Sequence, residues 1–170
     1  PIRKLYYQVE TLIFGRAIER ATLPERIILG CSDEKHFIDV NLNNFLKSFN
    51  CPIISMVYES AELAKTAINI ILASQVSVAN SLAEICEKFK GDWNEIIPAL
   101  KLDKRIGHYA YLNPGLGISG GNIERDLRTL SEISKKHKAN NIYLESIIQL
   151  SNYRKKWVQN IFLKENNINK

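Results

Sequence analysis

Three glycines, Gly115, Gly117 and Gly120, spell G-x-G-x-x-G, a pattern that lets backbone amides approach a pyrophosphate in dinucleotide-binding proteins. The local context argues against that use. The glycines follow Asn113-Pro114 and no clean hydrophobic strand, and no ribose-binding carboxylate stands about twenty residues later. Two other interpretations stay open: a flexible loop that caps a helix, and a helix N-terminus whose amides bind an anion or a carbonyl oxygen.

Two polar residues, Lys65 and Asn69, lie four positions apart within an apolar pattern typical of a helix, so they share one helix face. An ammonium group and a carboxamide on one face can stabilise an oxyanion and position a water molecule. Spacing alone favours the simpler interpretation, a pair that faces solvent.

Residue types that bind metals are few and scattered. The histidines and cysteines are His36, His108, His137, Cys31, Cys51 and Cys86. They form no zinc-binding spacing, no C-x-x-C motif and no catalytic dyad, so we expect no metal site. An odd number of cysteines without a framework fits a reducing cytoplasm. His108 lies near the glycine loop, where it contacts a ligand or simply faces solvent.

The composition is that of an ordinary soluble domain, with 45% hydrophobic and 24% charged residues among 170. The net charge of +5 leaves nucleic acid open as a partner, but the basic residues neither line one helix face nor alternate with aromatics. We therefore expect no nucleic-acid partner, and no membrane span or signal peptide. The start at Pro1, without Met, suggests a fragment.

The first sixty residues have an α/β pattern. Strands are predicted at Leu5–Val9, Arg26–Leu29 and Pro52–Val57, and a helix at Asn41–Phe49. A long helix is predicted next, with Ser60 as its N-cap and Gly91 as the C′ residue that ends it. At roughly thirty residues it would be about 45 Å long. That length indicates a bundle core or a subunit interface.

The last eighty residues predict shorter elements. They are a helix at Trp93–Leu100, a Gly-rich loop at His108–Gly121, a helix at Asn122–Lys136 with Asn122 as N-cap, and a second long helix at Asn141–Leu163.

Four stretches occur in the order of one known family. They are Val9-Glu10 with Gly15, Ala17, Pro24, Arg26 and Gly30; Ser60-Ala61-Glu62-Leu63 with Lys65 and Asn69; Asn80 with Cys86-Glu87-Lys88; and Arg105-Ile106-Gly107 with Leu112 to Gly117, Gly120 and Asp126. Together they resemble the UDP-glucose/GDP-mannose dehydrogenase family over residues 5–130.

The resemblance implies a mainly α chain: a helical central domain with a long core helix, preceded by a short α/β remnant of a Rossmann-type domain. Residues 1–57 would be the C-terminal part of an NAD-binding domain, 58–150 the central domain that forms a homodimer through the long helix, and 151–170 a connecting helix and tail. The family's glycine-rich NAD loop would precede residue 1. We therefore expect weak or absent NAD binding by this chain alone.

The family oxidises the C6 hydroxymethyl group of a UDP- or GDP-linked sugar to a carboxylate, in polysaccharide biosynthesis. A cysteine thiolate traps the aldehyde, and the resulting thioester is hydrolysed. The resemblance implies that Glu10 activates water, that Lys65 and Asn69 stabilise the oxyanion and position water, and that Asp126 assists near the nucleophile. Without it, Glu10 and Asp126 are ordinary acids at a strand end and in a first helical turn.

The nucleotide sugar would contact four further residues by the same resemblance: Arg105, Asn113, Gly115 and Gly117. Arg105 would reach it across a dimer, and a surface arginine is the alternative.

Asn122 departs from the family pattern, because the nucleophilic cysteine belongs four residues before the matching Asp126. A carboxamide forms no thioester, so we expect impaired oxidation. Gly121, Ile123 and Glu124 also depart from the family, and Ser81 replaces the usual Glu after Asn80. The first hypothesis is a diverged dehydrogenase fragment, and the alternative is a non-catalytic dimerisation or regulatory relative.

Overall fold

The computed structural model describes residues 4–32, 37–118 and 121–166. The elements, in chain order, are β1 (Tyr6–Gln8), α1 (Ala17–Thr22), β2 (Ile27–Cys31), α2 (Val40–Lys47), β3 (Ile53–Val57), α3 (Tyr58–Lys88), α4 (Trp93–Leu102), α5 (Gly121–Lys136), α6 (Ile142–Lys155) and α7 (Trp157–Glu165). The chain forms two units, the first ending at Ile68 and the second beginning at Asn69. The expected mainly helical chain, with a long helix after a short α/β part, is confirmed.

The first unit is built on a three-stranded sheet with β2 at its centre. β1 pairs with β2 antiparallel, and β3 pairs with it parallel, with Ile27 opposite Ile53. All five residues of β2 are buried, as expected of a strand covered on both faces. The three predicted strands are confirmed, and β2 continues past the predicted end at Leu29 to Cys31.

Alternation along β2 sends its side chains to two separate cores. Ile27 and Leu29 pack with Leu46 of α2, whereas Ile28 packs with Ala61 of α3. Gly30 permits the second contact, because a Cβ there would lie 3.0 Å from the Cβ of Ala61. The glycine thus lets the first turns of α3 lie close against the sheet.

Helix α3 begins at Tyr58, directly after β3 ends at Val57, so the prediction of Ser60 as its N-cap is wrong. Tertiary contacts explain the earlier start. The Tyr58 hydroxyl donates a 2.6 Å hydrogen bond to the backbone oxygen of Leu5, and its ring lies over Gly30. Ser60 therefore lies within the first turn.

The end of α3 also differs from the prediction, because the left-handed residue is Lys90 (φ +59°) and not Gly91. The Gly91 amide donates to the Cys86 carbonyl at 3.0 Å and the Lys90 amide to the Glu87 carbonyl at 3.1 Å, which is the Schellman pattern. Gly91 is needed for space, since a Cβ there would meet Cys86 Sγ at 2.8 Å.

The second unit packs α3, α5 and α6 around one apolar cluster. Its buried residues are Ile70, Ala73, Ile118, Leu127, Leu144 and Ile147. A second cluster joins Ala79, Ala83 and Cys86 of α3 to Trp93 of α4. Small residues on α3 let the shorter helices approach it closely.

Two predicted helix boundaries in this unit are wrong. Helix α5 begins at Gly121, so Asn122 lies inside its first turn and is not the N-cap. The predicted helix Asn141–Leu163 is two helices, because the Lys156 amide bonds to the Tyr153 carbonyl and separates α6 from α7. No Gly or Pro marks this break. It follows the turn in which Arg154 is held by a loop contact, which local sequence does not reveal.

Among the described helices, α3 has the length and apolar composition that crossing a membrane would require. The core helix of a soluble protein meets the same criterion. The expectation of no membrane span therefore stays a prediction.

Candidate functional site

In the first unit, the structure brings Glu10 and Lys65 together. Lys65 Nζ donates a hydrogen bond to the backbone oxygen of Glu10, and the neighbouring Val9 amide bonds to the Ile28 carbonyl at 3.0 Å. The Glu10 carboxylate itself is exposed, and the hydrogen bond that it accepts from the described part of the chain comes from the Thr11 amide, at 3.0 Å. Lys65 thus fixes the backbone that carries Glu10, while the Glu10 carboxylate stays open to solvent.

In the second unit, Asn69 of α3 and Asp126 of α5 form a direct pair. Asn69 Nδ2 donates to Asp126 Oδ2 at 2.7 Å, and Arg125 donates to Asp126 Oδ1 through Nε and Nη2 at 3.2 and 3.1 Å. The Asp126 side chain is 14% exposed. Both carboxylate oxygens are therefore engaged in hydrogen bonds, and the bond from Asn69 ties α5 to α3.

Asn122 lies one helical turn before Asp126 on the same helix, and it is exposed. Within the described residues its side chain makes no hydrogen bond. A carboxamide offers hydrogen bonds at this position but no nucleophilic electron pair of the kind a thiolate supplies. Cys86 does not replace it, because that thiol is buried in the cluster around Ala83 and Trp93.

The glycine loop is held from two helices through Gly115 and its neighbours. The Gly115 amide donates to Asn80 Oδ1 at 2.7 Å, and its carbonyl accepts from Arg154 Nε at 2.9 Å. The Ile118 amide donates to Ser151 Oγ at 3.0 Å. Gly117 has φ +92°, and a Cβ there would lie 2.7 Å from the Ser151 carbonyl. Gly120 lies outside the described residues.

No strand leads into this loop, since α4 ends at Leu102 and the following residues form turns. The engaged backbone groups of Gly115 are also unavailable to a pyrophosphate in the usual way. The geometry thus supports a shaped loop before a helix more than a dinucleotide motif.

Arg105 and Asn113 are not drawn into this network. Arg105 is 88% exposed and bonds to Asp103, whose pKa the Arg105 guanidinium holds below its usual range. Asn113 is exposed and, within the described residues, makes no side-chain hydrogen bond. Their binding of substrate stays a prediction, as do the roles of Glu10, Lys65, Asn69 and Asp126.

Sequence reasoning missed Ser151 and Arg154, although a signal exists. Helix α6 buries Leu144, Ile147, Ser151 and Arg154, spaced as one continuous helix stripe. Two polar residues in the last turns of an apolar stripe predict a polar partner, which here is the glycine loop.

No group of three or more potential metal ligands lies close together in the described ranges. His108 contacts Tyr109 edge to face at 5.5 Å, and His36 lies outside the described residues.

Comparison with known proteins identifies the family to which the chain is similar. A sequence model of the UDP-glucose/GDP-mannose dehydrogenase family, central domain, matches residues 59–153. Two relatives come from Bacillus subtilis. The putative UDP-glucose 6-dehydrogenase YtcA is 30% identical over 90% of this chain and 36% of its own length, and the UDP-glucose 6-dehydrogenase YwqF is 32% identical over 84% and 32%. The chain thus spans about a third of these relatives.

Solved structures agree on the fold. A UDP-glucose dehydrogenase from Pyrobaculum islandicum superposes with a TM-score of 0.84 at 24% identity, covering 96% of this chain and 37% of that one. The UDP-D-ManNAc dehydrogenase of Pyrococcus horikoshii gives 0.77 at 19% identity, covering 97% and 38%. Together with the match over residues 59–153, these findings show that the chain belongs to the UDP-glucose/GDP-mannose dehydrogenase family.

Proposed function

We propose that the natural protein binds a UDP- or GDP-linked sugar and is impaired in the cysteine-dependent oxidation of its C6 hydroxymethyl group to a carboxylate. Asn122 carries the proposal, because it occupies the first turn of α5 four residues before Asp126. There the family resemblance places the nucleophilic cysteine. A carboxamide adds to no aldehyde as a thiolate does, so neither a thiohemiacetal nor a thioester forms.

A non-catalytic relative with a dimerisation or regulatory role is the second candidate. The pairing of Asp126 favours it, since hydrogen bonds from Asn69 and Arg125 occupy both of its carboxylate oxygens. A carboxylate whose oxygens are both occupied in this way serves as a tether between the two helices.

The described residues do not fit a dinucleotide. The glycine loop follows no strand, and Asn80 and Arg154 engage the backbone of Gly115. We therefore assign no hydride-transfer step to residues of this chain and propose weak or absent NAD binding by it alone. A cytoplasmic location and a role in polysaccharide biosynthesis belong to the proposal through the family resemblance.

A homodimer through α3 is part of the same proposal. Helix α3 and the turn after it expose an apolar stripe formed by Ile71, Val78, Leu82, Ile85 and Phe89. Their spacing of seven, four, three and four residues is that of a coiled-coil seam. Phe89 is 83% exposed, and an apolar row of this length along one helix marks a surface for another protein chain.

The test of the proposed chemistry uses the longest natural form of the protein, NAD and a panel of UDP- and GDP-sugars. NADH absorbance and the acid product are measured for the wild type, for Asn122→Cys and for Asn122→Ala as the matched control. We expect no uronic acid from the wild type or Asn122→Ala. Asn122→Cys should restore acid formation if Glu10, Lys65 and Asn69 still support the chemistry.

Acid formation by the wild type would refute the proposal, because another group would then replace the thiol. Binding of a UDP-sugar by calorimetry, with Asn122→Cys still inactive, would favour the non-catalytic candidate. Absence of nucleotide-sugar binding by the wild type would refute the substrate assignment itself.

A further inference from the structure

The glycine loop rests on a polar backing supplied by α3 and α6. Asn80 accepts the Gly115 amide, Arg154 donates to the Gly115 carbonyl, and Ser151 accepts the Ile118 amide. We propose that Arg154 is a positioning residue, which with Asn80 and Ser151 holds this loop in the one conformation that binds the nucleotide sugar. The binding half of this inference rests on the proposed function.

The burial of Arg154 is the first argument. The residue is 6% exposed, and it lies in the same α6 stripe as the core residues Leu144 and Ile147. An aliphatic side chain would fill that position without the cost of removing a charge from water. Arg154 Nε instead donates a hydrogen bond to the Gly115 carbonyl, so the buried arginine contributes a contact to the loop that an aliphatic residue could not make.

Compensation of the Arg154 charge is incomplete, which is the second argument. Arg154 Nη1 is buried without a hydrogen-bond partner among the described residues, and Glu84 Oε2 lies 4.0 Å from it. Glu84 is itself held by the Tyr153 hydroxyl at 2.7 Å, and this carboxylate raises the pKa of Tyr153. Trp157 covers the guanidinium with its ring centroid 5.1 Å away. This set of contacts orients the Nε–H bond toward the loop.

The loop needs such contacts because apolar packing holds it only in part: Ile118 is buried in the core cluster, whereas Leu116 is 53% exposed. A cavity of about 290 Å³ borders Gly117 and Ile118 and extends between α3 and α6. Glycine also has more backbone freedom to lose than other residues. Polar bonds to Gly115 and Ile118 therefore order the loop before a ligand arrives, which is preorganisation.

The test compares Arg154→Met with the wild type by hydrogen exchange of backbone amides, without ligand. Methionine keeps most of the volume and removes the donor. The double variant Arg154→Met/Glu84→Gln is made as well, since it leaves no uncompensated carboxylate if the single variant folds poorly. Arg128→Met is the control, because Arg128 is an exposed arginine that pairs with Glu124 of its own helix, α5.

We expect the Gly115 and Ile118 amides to exchange at least about tenfold faster, with Ala79 and Ala83 of α3 unchanged and the control like the wild type. Calorimetry with UDP-glucose and GDP-mannose should show a Kd about five- to tenfold weaker for whichever sugar the wild type binds. A general loss of stability would accelerate the α3 amides too, which separates positioning from folding.

Unchanged exchange of the loop amides would overturn the positioning role of Arg154, whatever ligand the protein binds. Faster exchange with an unchanged Kd would overturn the role in binding. If the wild type binds neither sugar, the proposed function and the binding half fail together. Faster exchange in Arg154→Met would then still support the role of Arg154 in ordering the loop.

Discussion

Asn122 stands exposed on the first turn of α5, one turn before an aspartate whose oxygens are both bonded to neighbours. At the scale of single residues, the structural role of Asp126 and the chemical role of Asn122 can therefore be considered separately. The hydrogen bond between Asn69 and Asp126 links α3 to α5, whether or not any chemistry occurs. Asn122 bears on the chemistry, because its side chain is exposed and makes no hydrogen bond within the described residues.

Gly117 gives a prediction about backbone conformation. Gly117→Ala should destabilise the protein by about 2–4 kcal/mol, because the alanine would sit at a positive φ and its Cβ would meet the Ser151 carbonyl. Gly107→Ala is the matched control, since Gly107 has φ +91° and open space around its Cα. It should cost about 1–2 kcal/mol. Equal midpoints of the two variants in urea unfolding would contradict the prediction.

At the scale of elements, apolar spacing predicted the existence of α3 but neither of its ends. Its start depends on Tyr58, which bonds to Leu5 more than fifty residues earlier. Its end depends on Lys90, a residue type with no special preference for positive φ. Long-range contacts decided both boundaries, and a local capping signal at Ser60 was overridden by packing against β2.

The candidate site shows the same division. Lys65 and Asn69 were identified through their spacing and the family motifs, and both make specific contacts. The bond from Asn69 to Asp126 crosses 57 positions, and that from Arg154 to Gly115 crosses 39. Neither partner could be chosen from local pattern, because side-chain pairs at such separations exist only once the helices have packed.

The end of α3 yields a second prediction. Lys90→Gly should stabilise the protein by about 0.5–1 kcal/mol, because glycine adopts a positive φ without strain. Gly91→Ala should destabilise it by about 1–3 kcal/mol through the contact with Cys86 Sγ. Chemical denaturation of both variants beside the wild type measures the two effects, and a Lys90→Gly variant less stable than the wild type would contradict the assignment of Lys90 as C′.

The junction of α5 and α6 yields a third prediction, on pH. Lys155 and Arg128, in that order of influence, hold the pKa of Glu124 below its ordinary value. A lowered pKa in the folded state means that the stabilisation is present above about pH 4.3 and is lost as the pH falls through the folded value.

Glu124→Gln should therefore lower the Tm slightly at pH 7, by no more than a few degrees for exposed pairs, and this difference should vanish near pH 3. Glu132→Gln, an exposed position on the same helix, serves as control. A Tm difference between wild type and Glu124→Gln that does not change with pH would contradict the argument.

At the scale of the whole molecule, family membership rests on residues 59–153, while the chain spans about a third of its relatives. Helix α3 has the length and apolar composition that crossing a membrane would require, and its exposed apolar row also has the heptad spacing of a helix pair. We propose that this row packs against the same helix of a second copy of the protein.

Charge placed on that row tests the proposed dimer. Val78→Glu and Ile85→Glu should each shift the natural protein from dimer to monomer in analytical ultracentrifugation, by at least about tenfold in dissociation constant. Glu87→Lys is the control, because Glu87 lies on the exposed side opposite the heptad row. Dissociation by the control, or intact dimers in both stripe variants, would refute α3 as the interface.

The close approach of Gly91 to Cys86 also makes the alkylation rate of Cys86 a measure of how often the end of α3 opens. The thiol is 9% exposed and lies under the turn that ends α3, so an alkylating reagent reaches it only after that turn opens. In the regime where closing outpaces reaction, the labelling rate of Cys86 reports the population of open turns. Lys90→Gly should slow the labelling of Cys86 and Gly91→Ala should hasten it. The labelling rate would then report the local stability of the C-terminal end of α3.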